Sequence, residues 1–275
     1  MNTIKFTIYA DMDPEMIIAI ISGFPFHSFV ELEHGVEAYI AENECSEGFI
    51  QGIDSFLLEH QMSYMVDVIK FENWNKKWEE NFESVVVEDF CCIRADFHKP
   101  PTEVKFDLII NPKMAFGTGH HETTRIVISL MRTIDFMGKQ VLDFGTGTGV
   151  LAILAEKSGA LRILAIDNDP LATENAHENL KTNHCVSTEI KTGSIEELSK
   201  EEIFDIIIAN INLNVLTASV EAIKGRIKPQ GLLILSGVMQ IHRDLLLQTY
   251  QQAGFEIHQL LEEGDWIGVK CIFQG

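Results

Sequence analysis

The chain has few cysteines, little positive charge and no long apolar run, and each shortage excludes something. Its five cysteines in 275 residues (Cys45, Cys91, Cys92, Cys185 and Cys271) are odd in number and scattered. With no Cys-x-x-Cys pair, neither a disulfide framework nor a zinc knuckle is indicated, and the thiols read as reduced core residues. Cys91 and Cys92 would face opposite sides of a strand, which argues against a shared metal. No stretch approaches the roughly 20 apolar residues of a membrane helix, and the opening Met1-Asn2-Thr3-Ile4-Lys5-Phe6 lacks a signal-peptide pattern. A cytoplasmic monomer without membrane contact is expected. The 21 Lys and Arg residues stand against 41 Asp and Glu, a net charge of −20. Such a surface repels phosphate backbones and gains no counterion release, so direct nucleic-acid binding is not expected and a basic partner fits better.

An apolar fraction of 46% is ample for a packed core. Residues 1–70 read as a small α+β domain. A strand over 2–9, a helix opened by Asp13-Pro14-Glu15, a hairpin about His34-Gly35, a helix over 48–60 and a strand over 65–71 give the order β-α-β-β-α-β. That order predicts a ferredoxin-like split βαβ sandwich, a topology too widely used to name a function. Residues 71–83 predict a linker helix in which Trp74, Trp78 and Phe82 share one face, the ordinary mark of a packed stripe. Residues 84–275 form the larger domain. After three short strands, helices and strands alternate from Thr123 onward, which implies an α/β, Rossmann-like fold. Its mainly parallel sheet would hold ligands at the carboxyl ends of the strands.

Chemistry concentrates at those ends. The segment Val141-Leu142-Asp143-Phe144-Gly145-Thr146-Gly147-Thr148-Gly149-Val150-Leu151 runs an apolar strand through three alternate glycines into a helix. Glycine costs about 0.5–1 kcal/mol relative to alanine in regular structure, so this spacing suits a sharp turn that lets another molecule approach the backbone. It is not the Gly-x-Gly-x-x-Gly of a pyrophosphate-binding turn, which weakens a dinucleotide reading. Asp167 ends the next strand, where a carboxylate can accept hydrogen bonds from both ribose hydroxyls; capping the following helix is the competing role, and Asp169 suits it better. Asn210 ends the strand Ile206-Ile207-Ile208-Ala209, where its carbonyl oxygen can accept from an incoming amine or merely cap the turn. The Asn-Ile-Asn-Leu that begins there lacks the Pro-Pro-Tyr of enzymes that methylate nucleobases or planar amides. Upstream, the loop from Phe116 and Gly117 to Thr123 and Thr124 predicts a lid. The pair His120-His121 has no i+4 partner, so no metal site is expected.

The Asp-Phe-Gly-x-Gly-x-Gly turn resembles motif I of class I methyltransferases, which use S-adenosyl-L-methionine. By that resemblance Asp143 orients the methionine end and Asp167 the ribose. The block Ala115-Phe116-Gly117-Thr118-Gly119-His120-His121-Glu122-Thr123-Thr124, together with Trp74-x-x-x-Trp78, Ala209-Asn210-Ile211 and Asp265-Trp266, resembles the PrmA family, methyltransferases of large-subunit ribosomal protein L11. The likeness is specific from Trp74 onward; over 1–70 it is one of topology alone. It implies cofactor contacts at Thr124, Gly145, Asp167 and Asn210, to which the motif adds Phe116, Gly117, Asp143, Gly147 and Gly149. It also implies a docking role for the amino-terminal domain and transfer to lysine ε-amines and the amino-terminal α-amine. Two departures are Asn111-Pro112 in place of the usual Asp-Pro, and a short docking domain. Asn210 is the expected catalytic residue, and no side chain stands out as a dedicated general base. A related methyltransferase of small molecules or of another basic protein, or a non-catalytic cofactor-binding module, would fit the same core.

Overall fold

Apolar residues alternate with polar ones through Thr3–Tyr9, so this first strand, β1, buries Ile4, Phe6 and Ile8 on one side. The computed structural model describes residues 2–69, 83–111 and 117–275. The predicted linker helix with Trp74, Trp78 and Phe82 lies outside the described residues, as does Phe116. The chain divides into two compact units, Met1–Asn81 and Phe82–Gly275.

In the first unit β1 is followed by α1 (Pro14–Ile21), β2 (Ser28–Leu32), β3 (Gly35–Ala41), α2 (Glu47–Glu59) and β4 (Ser63–Ile69). The order read from the sequence is the one found, and the antiparallel sheet runs β2-β3-β1-β4. Each helix starts where a side chain satisfies its free amides: Asp13 accepts from Glu15 N at 3.0 Å and Ser46 from Phe49 N at 3.2 Å. Phe6 packs edge-on against Phe26 and Phe49 in the core. The unit is lopsided in charge, because residues 2–69 carry 12 carboxylates and one basic side chain, Lys5. Lys5 Nζ lies 3.0 Å from Glu37 and 3.3 Å from Asp67.

The second unit opens with a three-stranded sheet of β5 (Val85–Val87), β6 (Cys91–Arg94) and β7 (Phe106–Ile109), in that order. Cys91 and Cys92 are both buried in β6, as the pattern of single thiols suggested. The main body follows as α3 (Glu122–Met131), β8 (Gln140–Phe144), α4 (Val150–Lys157), β9 (Arg162–Asp167), α5 (Pro170–Thr182) and β10 (Thr188–Thr192). It continues with β11 (Phe204–Asn210), α6 (Leu213–Ala218), α7 (Val220–Lys224), β12 (Ile227–Met239), α8 (Arg243–Gln252), β13 (Phe255–Glu263) and β14 (Trp266–Phe273). The seven-stranded sheet is ordered β10-β9-β8-β11-β12-β14-β13, parallel from β10 to β12, with antiparallel β14 inserted before the edge strand β13.

Both faces of this sheet are covered, which is why its strands read as unbroken apolar runs. Ile206 and Ile208 of β11 enter one core with Val141, Ile163 and Ala165; the intervening Ile207 and Ala209 enter the other with Leu142, Leu164 and Ile166. Register then brings the strand ends level, with Thr192 beside Asp167 and Asn210 beside Ser236. The helical stretch after β11 is broken in two, α6 and α7, separated by Ser219 at φ −92° and ψ 8°. The Ser219 hydroxyl donates to Glu196 at 3.0 Å, tying this break to the segment after β10.

Candidate functional site

The glycine turn is built from conformations that other residues resist. Gly145, Gly147 and Gly149 hold φ values of 77°, 54° and 83°, all left-handed. The amides of Gly145 and Thr146 both donate to the carbonyl of Ile166, at 2.9 and 3.0 Å, which anchors the turn to β9. A Cβ at Gly145 would lie 2.1 Å from Ile211 Cγ2, so the approach of β11's exit to the turn requires glycine.

Asp143 sits beneath the turn, fully buried. Its Oδ2 accepts from Thr146 Oγ1 at 2.6 Å and from Ala152 N at 3.2 Å, joining the turn to the first residues of α4. Burial pushes its pKa up to about 7 against the lowering influence of those two hydrogen bonds, and Oδ1 has no partner among the described residues. Asp143 therefore grips the turn from below and is not among the residues that line the cavity above it.

Asp167 faces that cavity while also bracing the turn. Its Oδ2 accepts from Gly147 N at 2.9 Å and its Oδ1 from Asp169 N at 3.1 Å. Asp169 is the helix cap, accepting from Leu171 N at 2.9 Å, which leaves Asp167 the remaining lone pairs for a ligand. The cavity, about 440 Å³, opens over the strand ends and brings together Gly145, Gly147, Asp167 and Asn210. Phe144, Ile211, Val215 and Trp266 supply its apolar wall.

Asn210 does not cap the next helix, because Asn212 does so by accepting from Val215 N at 3.1 Å. The Oδ1 of Asn210 is buried and has no partner among the described residues, an acceptor left open beside the glycine turn.

The loop before α3 is fastened to the turn where Thr148 Oγ1 donates to the carbonyl of Gly117 at 2.6 Å. A Cβ on Gly117, whose φ is 107°, would stand 2.8 Å from that hydroxyl. His121 caps α3, its Nδ1 accepting from Thr123 N at 3.3 Å, so neither threonine serves as the cap. Thr123 lines the cavity, whereas Thr124 is fully buried beside it with a hydroxyl that has no partner among the described residues. Gly117, Gly149 and Thr124, like Asp143, are not among the residues that line the cavity. Among the described residues no group of three metal-ligating side chains occurs.

Among the cavity-lining residues not assigned a role from sequence are His121, Trp266 and Glu196. The rings of His121 and Trp266 meet edge-to-face at 4.7 Å, across an interval of sequence that no local pattern spans. Glu196 belongs to a short turn after β10 and faces Ser219.

A mainly parallel seven-stranded sheet, a left-handed glycine turn after its central strand and a carboxylate at the end of the neighbouring strand define a class I methyltransferase. The chain belongs to the ribosomal protein L11 methyltransferase (PrmA) family, whose model matches residues 23–273. It is similar to the ribosomal protein L11 methyltransferase of Phocaeicola vulgatus, 35% identical over 94% of each chain. It is equally similar to that of Bacteroides thetaiotaomicron, again 35% identical over 94% of each. Among solved structures, the ribosomal protein L11 methylase of Lactobacillus delbrueckii subsp. bulgaricus shares the fold with a TM-score of 0.65, at 24% identity over 70% of this chain and 100% of that one.

Proposed function

We propose that the protein transfers methyl groups from S-adenosyl-L-methionine to amino groups of a basic protein, ribosomal protein L11, at lysine ε-amines and the amino-terminal α-amine. The observation that carries this reading is Asn210 Oδ1, a buried acceptor without a partner among the described residues, in the same cavity as the glycine turn and Asp167.

The residues present fit the cofactor. The exposed edge of the turn at Gly145 and Gly147 allows close approach, and the spare lone pairs of Asp167 suit a ribose diol. The buried Thr124 hydroxyl adds a donor next to the cavity. Gly117, Gly149 and Asp143 act in this reading by shaping and holding the loops around it, and Phe116, outside the described residues, is kept as a cofactor contact. When bound, S-adenosylmethionine supplies a methyl group on a cationic sulfur.

The protein's own work is alignment and desolvation. A lysine of pKa about 10.4 must shed its proton before it is nucleophilic, which at about pH 7.5 costs roughly 4 kcal/mol. The apolar wall of Phe144, Ile211, Val215 and Trp266 disfavours the ammonium and lowers that cost. Asn210 accepts an N–H of the neutral amine, leaving the nitrogen lone pair directed at the reacting carbon. The deficit of positive charge, −20 overall, favours approach of a basic substrate.

Unmethylated ribosomal protein L11 incubated with the enzyme and isotopically labelled S-adenosylmethionine should gain mass in methyl increments. An unchanged L11 mass while the enzyme binds the cofactor would refute the substrate assignment.

A further inference from the structure

Helix α5 meets the strand exit of β7 through one row of side-chain amides. Asn175, Asn179 and Asn183 are spaced four residues apart, so they share a face of the helix and its carboxyl cap, and all three are buried. The row completes the hydrogen bonding of backbone that leaves β7. Asn183 Oδ1 accepts from Ile109 N at 3.0 Å and its Nδ2 donates to Ile109 O at 2.6 Å, while Asn179 Oδ1 accepts from Asn111 N at 3.1 Å. The amides thus do for this segment what a neighbouring strand would do.

Asn179 differs from Asn183 in where its donor goes. Its Nδ2 donates across 2.9 Å to the carbonyl of Thr148, inside the glycine turn. Thr148 is fully buried, and its hydroxyl donates in turn to the carbonyl of Gly117. Hydrogen bonds therefore run from Asn111 through Asn179 and Thr148 to Gly117, joining the exit of β7, the turn and the loop before α3. The approach is close as well as polar: a Cβ at Gly149 would stand 3.2 Å from the Cβ of Ala176, on the same face of α5 as Asn179.

Both elements joined in this way lead to the cavity. Gly145 and Gly147 of the turn line it, and so do His121 and Thr123, which follow the Gly117 loop. Asn179 and Thr148 themselves are absent from the lining, so any effect they have on a ligand passes through backbone. In a water-excluded site a carbonyl that loses its donor carries the full cost of desolvation, which the chain relieves by moving.

We infer that Asn179, acting through Thr148, is a positioning residue for the cofactor, setting the glycine turn and the Gly117 loop in fixed relation without touching the ligand. This rests on the S-adenosylmethionine reading above. Asn183, in the same row and on the same strand exit, holds structure alone.

Calorimetric binding of S-adenosylhomocysteine to full-chain wild type, N179A, N183A, T148V and T148S tests this, beside thermal denaturation of each without ligand. N179A and N183A both strip buried backbone of partners and should both melt lower. N179A should also bind about tenfold more weakly, whereas N183A should stay within about twofold of wild type. T148V keeps the side-chain volume and loses the hydroxyl, and T148S keeps the hydroxyl; binding should weaken about fivefold in T148V and return to within about twofold in T148S. Wild-type affinity in N179A, equal losses in N179A and N183A, or equal affinities in T148V and T148S overturn the assignment and leave the cofactor reading intact. If N179A does not fold, the two Thr148 variants decide. Failure of wild type to bind S-adenosylhomocysteine overturns both.

Discussion

Gly147 N donates to Asp167 Oδ2 across 2.9 Å, so the carboxylate expected to meet the ribose is also a strut of the glycine turn. The two oxygens of Asp167 each take one backbone amide, from Gly147 and from Asp169, and both retain a lone pair. Asp167→Asn replaces one acceptor with a donor that confronts a backbone N–H. Affinity for S-adenosylhomocysteine should fall roughly tenfold to a hundredfold, measured by calorimetry, and Asp167→Ala should abolish binding. Retained wild-type affinity in both would remove Asp167 from the site.

An Asn210 variant should separate binding from turnover. Asn210→Ala deletes the open acceptor without touching the turn, so kcat should drop by about a hundredfold while S-adenosylhomocysteine affinity changes little. Steady-state kinetics on ribosomal protein L11 beside calorimetry distinguishes this from a general disruption, which would lower both.

Gly145→Ala is doubly penalised. The new Cβ would meet Ile211 Cγ2 at 2.1 Å, and φ of 77° is costly for any residue with a Cβ. Together these predict a loss of about 1–3 kcal/mol and of cofactor binding. Adding Ile211→Ala removes the collision and leaves the backbone cost, so part of the melting temperature should return. No return would mean that the backbone conformation alone sets the penalty.

Asp143 predicts an inverted pH dependence. Its folded pKa, about 7, lies above the ordinary 3.8, so the folded protein holds this proton more tightly than the unfolded chain. The group therefore subtracts stability progressively as pH rises from about 4 to 7, and the full penalty, up to about 4 kcal/mol, applies above that window. Asp143→Asn keeps one carbonyl acceptor for Thr146 and Ala152 and removes the buried charge. Its stability relative to wild type should improve between pH about 5 and 8 in urea melts. A constant difference across that range would contradict the assignment.

Salt should act on the protein substrate and spare the cofactor. With 12 carboxylates against Lys5 in residues 2–69, attraction to a basic protein is screened as the Debye length shortens. KM for L11 should rise severalfold between about 0.05 and 0.5 M salt, with S-adenosylhomocysteine affinity nearly constant. Equal sensitivity of the two would locate the effect in the cavity.

What was legible in the sequence follows physical range. Strands β8, β9 and β11 are buried on both faces, so their apolar runs announce them, and the glycine spacing marks the turn without knowledge of any partner. Asp169 as the cap and Asn210 at a strand end were equally local. His121, Trp266 and Glu196 were not: the first two meet through the placement of β14 between β12 and β13, and Glu196 is tied to Ser219 across the chain. The break in the helix at Ser219 left no local signature because it answers to a carboxylate 23 residues earlier. Asp143 stood out in the sequence as a cofactor contact, whereas packing shows it bonded to Thr146 and Ala152 and absent from the cavity lining.

The scarcity of lysine over residues 2–69 also bears on self-modification. An enzyme that seeks amines exposes its own first, at the highest local concentration. Over residues 2–69 the only ε-amine is Lys5, which is held between Glu37 and Asp67 with its pKa raised, the larger share coming from its hydrogen bonds to those two carboxylates. Kept as an ammonium, it has no lone pair to offer a methyl donor. Residues 2–69 are thus almost inert to the reaction, and automethylation has little to consume there.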